Sequence, residues 1–124
     1  TTATQLVHLS CDFGRLDSTN PGHAANFRFV RDSTAIGIGD QQSGTSLNLR
    51  GSFFTAIEYN NNYGHSASGS FYDSPGAAGT YTYKVQAAVN STSVQLNRSG
   101  NCGNVVGAQC GTTISTLTAY VIEP

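Results

Sequence analysis

The stretch "TQLVHLSCDF", Thr4 to Phe13, sets Val7, Leu9, Cys11 and Phe13 at every second position, with His8, Ser10 and Asp12 between them. A strand sends alternate side chains to opposite faces, so this stretch predicts a strand with one buried face and one wet face. The same period recurs along the chain. "NFRFVR" places Phe27 and Phe29 opposite Arg28, and "STAIGIGD" places Ile36 and Ile38 opposite Ala35, Gly37 and Gly39. "TYTYKVQAAV" aligns Tyr81, Tyr83, Val85, Ala87 and Val89 on one face. With "SLNLRG", "SFFTAIEY", "SGSFYD", "TSVQLNRS" and "TTISTLTAYVIEP", eight or nine short strands are expected. Turn signals such as "DSTNPG", "DQQSG", "DSPGAAG" and "NRSGNCGN" separate them. No segment repeats apolar residues at helical spacing over three turns, and no repeat or linker divides the chain. The expected fold is all-β, an antiparallel two-sheet sandwich or a closed barrel, as one domain over residues 1–124.

Composition narrows the partners. The 124 residues are 10% charged, against roughly 25% in an average domain. A net charge of -1 offers no electrostatic handle on nucleic acid or an anionic membrane surface. No apolar run reaches the length of a membrane helix, and no basic-then-apolar leader opens the sequence. Thr1 either follows a removed initiator Met or marks a trimmed start.

Three cysteines form an odd set. Cys102 and Cys110 bracket "CGNVVGAQC", which reads either as a local disulfide hairpin or as two small residues near strand ends. Cys11 falls on the apolar side of its strand and reads as a small buried hydrophobe rather than a reactive thiol. No CxxC or Cys/His spacing suggests zinc, and no cofactor is expected.

Candidate chemistry is sparse. His8 lies on the polar side of the first strand, His23 and His65 lie in Gly-rich turns, and none belongs to an HxH or HExxH pattern, so surface positions are expected. The acids are dispersed, with Asp32, Asp40 and Asp73 at turn positions where a carboxylate accepts backbone N–H bonds. "NST" at Asn90 and "NRS" at Asn97 match the glycosylation sequon. The loop "YNNNYGHSASGS" combines Tyr, Asn, Ser, Gly and His, the mixture used by adaptable binding loops and by ordinary mobile loops alike. Tyr59, Asn60, Asn61, Asn62, Tyr63 and His65 are its candidate contact residues.

A different signal comes from strands that are apolar on both sides. In the last strand Leu117, Ala119 and Val121 face one way and Ile114, Tyr120 and Ile122 the other. Phe53 and Phe54 must also oppose each other, as must Phe71 and Tyr72. A sandwich strand with one wet face should not be apolar on both. Another subunit, rather than a covering loop, is the expected partner, with Phe54, Tyr72, Ile114, Tyr120 and Ile122 as candidate trimer-interface residues.

The segments "RDSTAIGIGD", "SFYDSP", "TYTYKVQAAV" and "VQLNRS", with a short last strand ending near Glu123, resemble a family of small jelly-roll proteins in tailed-bacteriophage virions. The resemblance covers Asn26 to Glu123. In that family an aromatic-x-Asp-Ser-Pro turn leads into a Tyr-rich strand, and related domains resemble the C1q and tumour-necrosis-factor jelly rolls, which pack as trimers. The resemblance implies a jelly-roll fold, a homotrimer and a place in the virion. The "YNNNYGHSASGS" loop, the "NCGNVVGAQC" insertion and the "VIEP" ending depart from the pattern. The expected role is structural: a capsid decoration or cement protein that binds copies of itself and the major capsid protein or another virion protein. The alternative is the knob of a tail or head fibre that binds a host-surface glycan or protein through the Tyr59–His65 loop. Enzymatic activity, such as that of a depolymerase, is not expected.

Overall fold

A computed structural model describes residues 5–18, 23–39, 53–58, 65–89, 94–97 and 112–123. These form eight strands: β1 (Leu6–Ser18), β2 (His23–Arg31), β3 (Thr34–Ile36), β4 (Phe53–Glu58), β5 (His65–Asp73), β6 (Tyr83–Val89), β7 (Val94–Leu96) and β8 (Ser115–Ile122). They assemble into two antiparallel four-stranded sheets, the first built on β1 and the second on β2.

Each central strand is flanked in the same way. Phe13 pairs with Ala67 of β5 and Ser115 of β8, while Leu16 pairs with His65 of β5 and Leu96 of β7. The first sheet therefore has β5 on one flank of β1, and β8 followed by β7 along the other. In the second, β6 runs along one flank of β2, with β4 and then β3 along the other.

The alternation in "TQLVHLSCDF" sets the core. Val7, Leu9, Cys11, Phe13 and Leu16 form one buried cluster with Ala67 of β5 and with Ala25, Phe27, Phe29 and Ile36 of the second sheet. The Phe13 and Phe27 rings meet across the sheets at 4.4 Å between centroids. The two sheets thus face each other, and removing this apolar surface from water is the main force holding them together. Cys11 is free and buried, as its strand position predicts.

One end of the core is closed by charge. Arg31, ending β2, donates from Nη1 to both carboxylate oxygens of Asp73, ending β5, at 2.9 and 2.8 Å. The Tyr83 hydroxyl donates to Asp73 Oδ2 at 2.7 Å, and Arg31 lies 5.5 Å from the centre of the Tyr81 ring. Asp73 therefore corrects its reading as a turn acid: it is buried and joins one sheet to the other. Asp32 does behave as a turn residue, at φ 54°, its carboxylate accepting the Thr82 N–H at 2.8 Å.

Glycine has a specific task at two points. Gly37 has φ +58°, and a Cβ there would run into the Phe71 ring, so "STAIGIGD" stops being a strand at Ile36. Gly14 lies where the β1–β5 register slips between Phe13 and Leu16, and a Cβ on it would strike the Ile114 carbonyl. In "DSPGAAG", Gly76 has positive φ, at +75°, whereas Gly79 is not among the positive-φ glycines.

Two further readings change. His23 and His65, placed in turns from sequence, are the first residues of β2 and β5. The strand expected over "SGSFYD" begins earlier, at His65, so His65–Ala67, read only as loop, is strand paired with β1. Asn97, at φ 64°, donates its N–H to the Arg15 carbonyl at 2.8 Å and accepts from the Thr113 N–H at 3.1 Å. Its side-chain oxygen accepts from Ser115 Oγ at 2.6 Å, so this sequon residue is engaged in tying β7 to β8.

Candidate functional site: the outer face of the β1 sheet

The residues of β1 that alternate with the core define the site. Cross-strand pairing sets them in rows with their β5 and β8 partners: Tyr72–His8–Tyr120, then Ser70–Ser10–Thr118, then Ser68–Asp12–Thr116. At one end Leu6 pairs with Ile122, and at the other Gly14 meets Ile114. Partners on one face of an antiparallel pair lie close enough to interact directly. The face is therefore graded, from aliphatic through aromatic to hydroxyl and carboxylate.

The rings are packed together. His8 stacks on Tyr72 with centroids 4.6 Å apart and planes at 29°, and lies 6.5 Å from Tyr120 at 13°. His8 is half-buried between them, while Tyr72 and Tyr120 remain 58% and 60% exposed. At the other end a depression of about 440 Å³ opens onto the surface, lined by Asp12, Gly14, Ser66, Ser68, Ile114 and Thr116. It forms where β1 slips register and Gly14 contributes no side chain.

Two groups on the core side of the sheets are shifted in proton affinity. Burial pushes the Cys11 thiol up to about 11, and the neighbouring Asp12 charge adds to the effect. Burial also raises the Tyr83 phenol well above its ordinary value, helped by its hydrogen bond to Asp73. Both groups are held protonated at neutral pH.

Of the candidate trimer residues, Tyr72, Ile114, Tyr120 and Ile122 fall on this one face, all exposed. Tyr72 and Tyr120 flank His8 in one packed row with Ile122 next along β8, and Ile114 stands apart from them. Ile114, 79% exposed, lines the depression at the far end. Phe54 belongs to β4, and its side chain lies outside the described residues. Of the loop candidates, His65 is an exposed strand residue, whereas Tyr59, Asn60, Asn61, Asn62 and Tyr63 lie outside the described residues, as do Cys102 and Cys110.

The strand expected over "SGSFYD" is present but starts three residues earlier, so Ser66 joins an outward column that the sequence reading began only at Ser68. Ser66, Ser68, Ser70 and Tyr72 alternate with Ala67, Gly69, Phe71 and Asp73 in "HSASGSFYD", a period of two hidden at its start by a composition typical of loops. Comparison with known proteins finds no matching family model, no matching curated sequence and no matching solved structure.

Proposed function

We propose that this chain is a structural protein that works by associating with copies of itself, as a homotrimeric jelly roll that decorates and stabilises a bacteriophage capsid. The observation that supports this best is β8. Leu117 and Val121 on one side of that strand are 43% and 54% exposed, while Tyr120 and Ile122 on the other are 60% and 39% exposed. Among the described residues β8 pairs with β1 alone, so it forms a rim that is apolar above and below. Single exposed apolar residues are ordinary, but a contiguous group on both faces of one strand marks an interaction surface.

A cyclic trimer joins unlike patches, and the two sides of β8 supply two different apolar patches on one rim. Bound at many equivalent points, each such trimer would hold neighbouring capsid subunits through the summed effect of weak contacts. The virion assignment rests on the sequence resemblance, and the association on β8.

Sedimentation equilibrium at micromolar concentration tests the association. The expected mass is three times the 13.0 kDa of the chain, falling to a monomer when Tyr120→Ser and Ile122→Thr are combined. A wild-type monomer would overturn it. Decoration is tested by heating capsids with and without the protein at low salt, and equal survival of the two would remove that part of the reading.

A further inference from the structure

The β1–β5 half of the outer face has chemistry that the β8 rim lacks. Along β5 the outward side chains are Ser66, Ser68, Ser70 and Tyr72, and beside them on β1 stand His8, Ser10 and Asp12. An exposed ring therefore begins a lane of hydroxyls that passes a carboxylate and ends in the depression beside Gly14. From Tyr72 to Ser66 the lane runs about 20 Å at ~3.4 Å per residue.

We infer that this lane is a binding site for a neutral oligosaccharide. Three features select that class. The Tyr72 ring is 58% exposed and is backed by His8 at 4.6 Å, so it is held ready to stack on the C–H face of a sugar ring. The serine hydroxyls both donate and accept, and the Asp12 carboxylate accepts from two hydroxyls at once, matching the mixed donors and acceptors of a polyol. The charge is the third. Among the lane residues His8, Ser10, Asp12, Ser66, Ser68, Ser70 and Tyr72 there is one acid and no Lys or Arg. A polyanion such as nucleic acid or a sialylated glycan therefore finds no Lys or Arg partner there and meets a carboxylate, which a neutral chain can use as an acceptor. A depression of about 440 Å³ is in the range of small-ligand sites and can seat one end of the chain against Ile114.

The site goes beyond the self-association reading and does not rest on it, because its ring and most of its hydrogen-bonding groups come from β1 and β5. The test is a titration of the full chain, followed by NMR, with neutral tetrasaccharides of glucose, galactose, mannose and N-acetylglucosamine. Sialyllactose serves as the anionic control. At least one neutral tetrasaccharide is expected to give saturable shifts at Tyr72, Ser68 and Asp12. Tyr72→Ala is expected to weaken binding by about tenfold, the loss of one stacked ring. Asp12→Asn weakens it less and changes neither the melting temperature nor the sedimenting mass, whereas Tyr72→Ala is read by sugar affinity alone. The β8 double variant changes the mass and keeps the sugar affinity, so failure of one reading is separable from failure of the other. Absence of saturable binding to all four neutral probes would overturn the inference. Binding that survives Tyr72→Ala, or stronger binding of sialyllactose, would also overturn it.

Discussion

Val7 and Val121 are the same residue, paired across the β1–β8 ladder and pointing to the same side, yet Val7 is 2% exposed and Val121 is 54% exposed. The difference is position within the sheet. Val7 has β5 on its other flank, where its register partner is Asp73, whereas β8 pairs with β1 alone among the described residues. Period-two patterning says which way a side chain faces. It does not say how deep that face lies, and depth is what separates a core residue from one that needs a partner molecule.

Substitutions along these rows test the contrast, and Leu9 should give the largest effect. Leu9→Ala, at a position with no exposure, is expected to lower unfolding free energy by about 3 to 4 kcal/mol. Leu117→Ala on β8 should lower it by less than about 1 kcal/mol when measured on the monomer. Equal losses in urea denaturation would mean that β8 is as enclosed as β1.

At the far side of the Val7 row, Asp73→Asn leaves Arg31 without its charge partner. The expected loss is about 2 to 3 kcal/mol, below that of a fully buried pair because Arg31 retains 21% side-chain exposure. Tyr83→Phe should cost about 1 kcal/mol, the usual net value of one hydrogen bond. A neutral outcome for Asp73→Asn would show that the inter-sheet ion pair does not hold the end of the core closed.

The paired valines give the sharpest version. Val7→Thr buries a hydroxyl in the core and should cost about 2 kcal/mol. Val121→Thr should stay within about 0.5 kcal/mol in the monomer while weakening association. A matched pair of thermal melts and sedimentation runs decides it.

Cys11, opposite Leu117, ties the same rows to pH. Its folded thiol lies near 11 against an ordinary value of 9.0, so below pH 9 both folded and unfolded chains keep the proton. Above that the unfolded chain releases it first, and stability falls until pH passes the folded value. Tyr83, also raised, extends the loss further into alkali. Denaturation midpoints should be insensitive to these two groups from pH 6 to 8 and should decline from about 9 upward. The first part of the decline should be absent in Cys11→Ala.

Much of this architecture is readable before any coordinates. The opposed faces of β1, the outward Arg28, the buried Cys11 and the back-to-back Phe71 and Tyr72 all follow from alternation, and the structure places them accordingly. What alternation cannot supply is neighbourhood. Arg31 and Asp73 stand 42 residues apart, so nothing local marks Asp73 as a buried acid rather than a turn residue. The two tyrosines around His8 come from β5 and β8, brought together only by the register of each with β1. The start of β5, His65 to Ala67, reads as loop because it follows a run rich in Asn and Gly, and pairing with β1 extends the expected "SGSFYD" strand back through it.

The hydrogen bonds of Asn97 carry a practical consequence. Asn97, bonded to the Arg15 carbonyl, is joined to Thr113 by one backbone bond, which fixes the two ends of the chain between them. Closing a longer loop on a fixed pair of ends adds only about 0.6 kcal/mol per doubling of its length. Lengthening the chain between those two residues should therefore cost little closure entropy as long as that bond is kept.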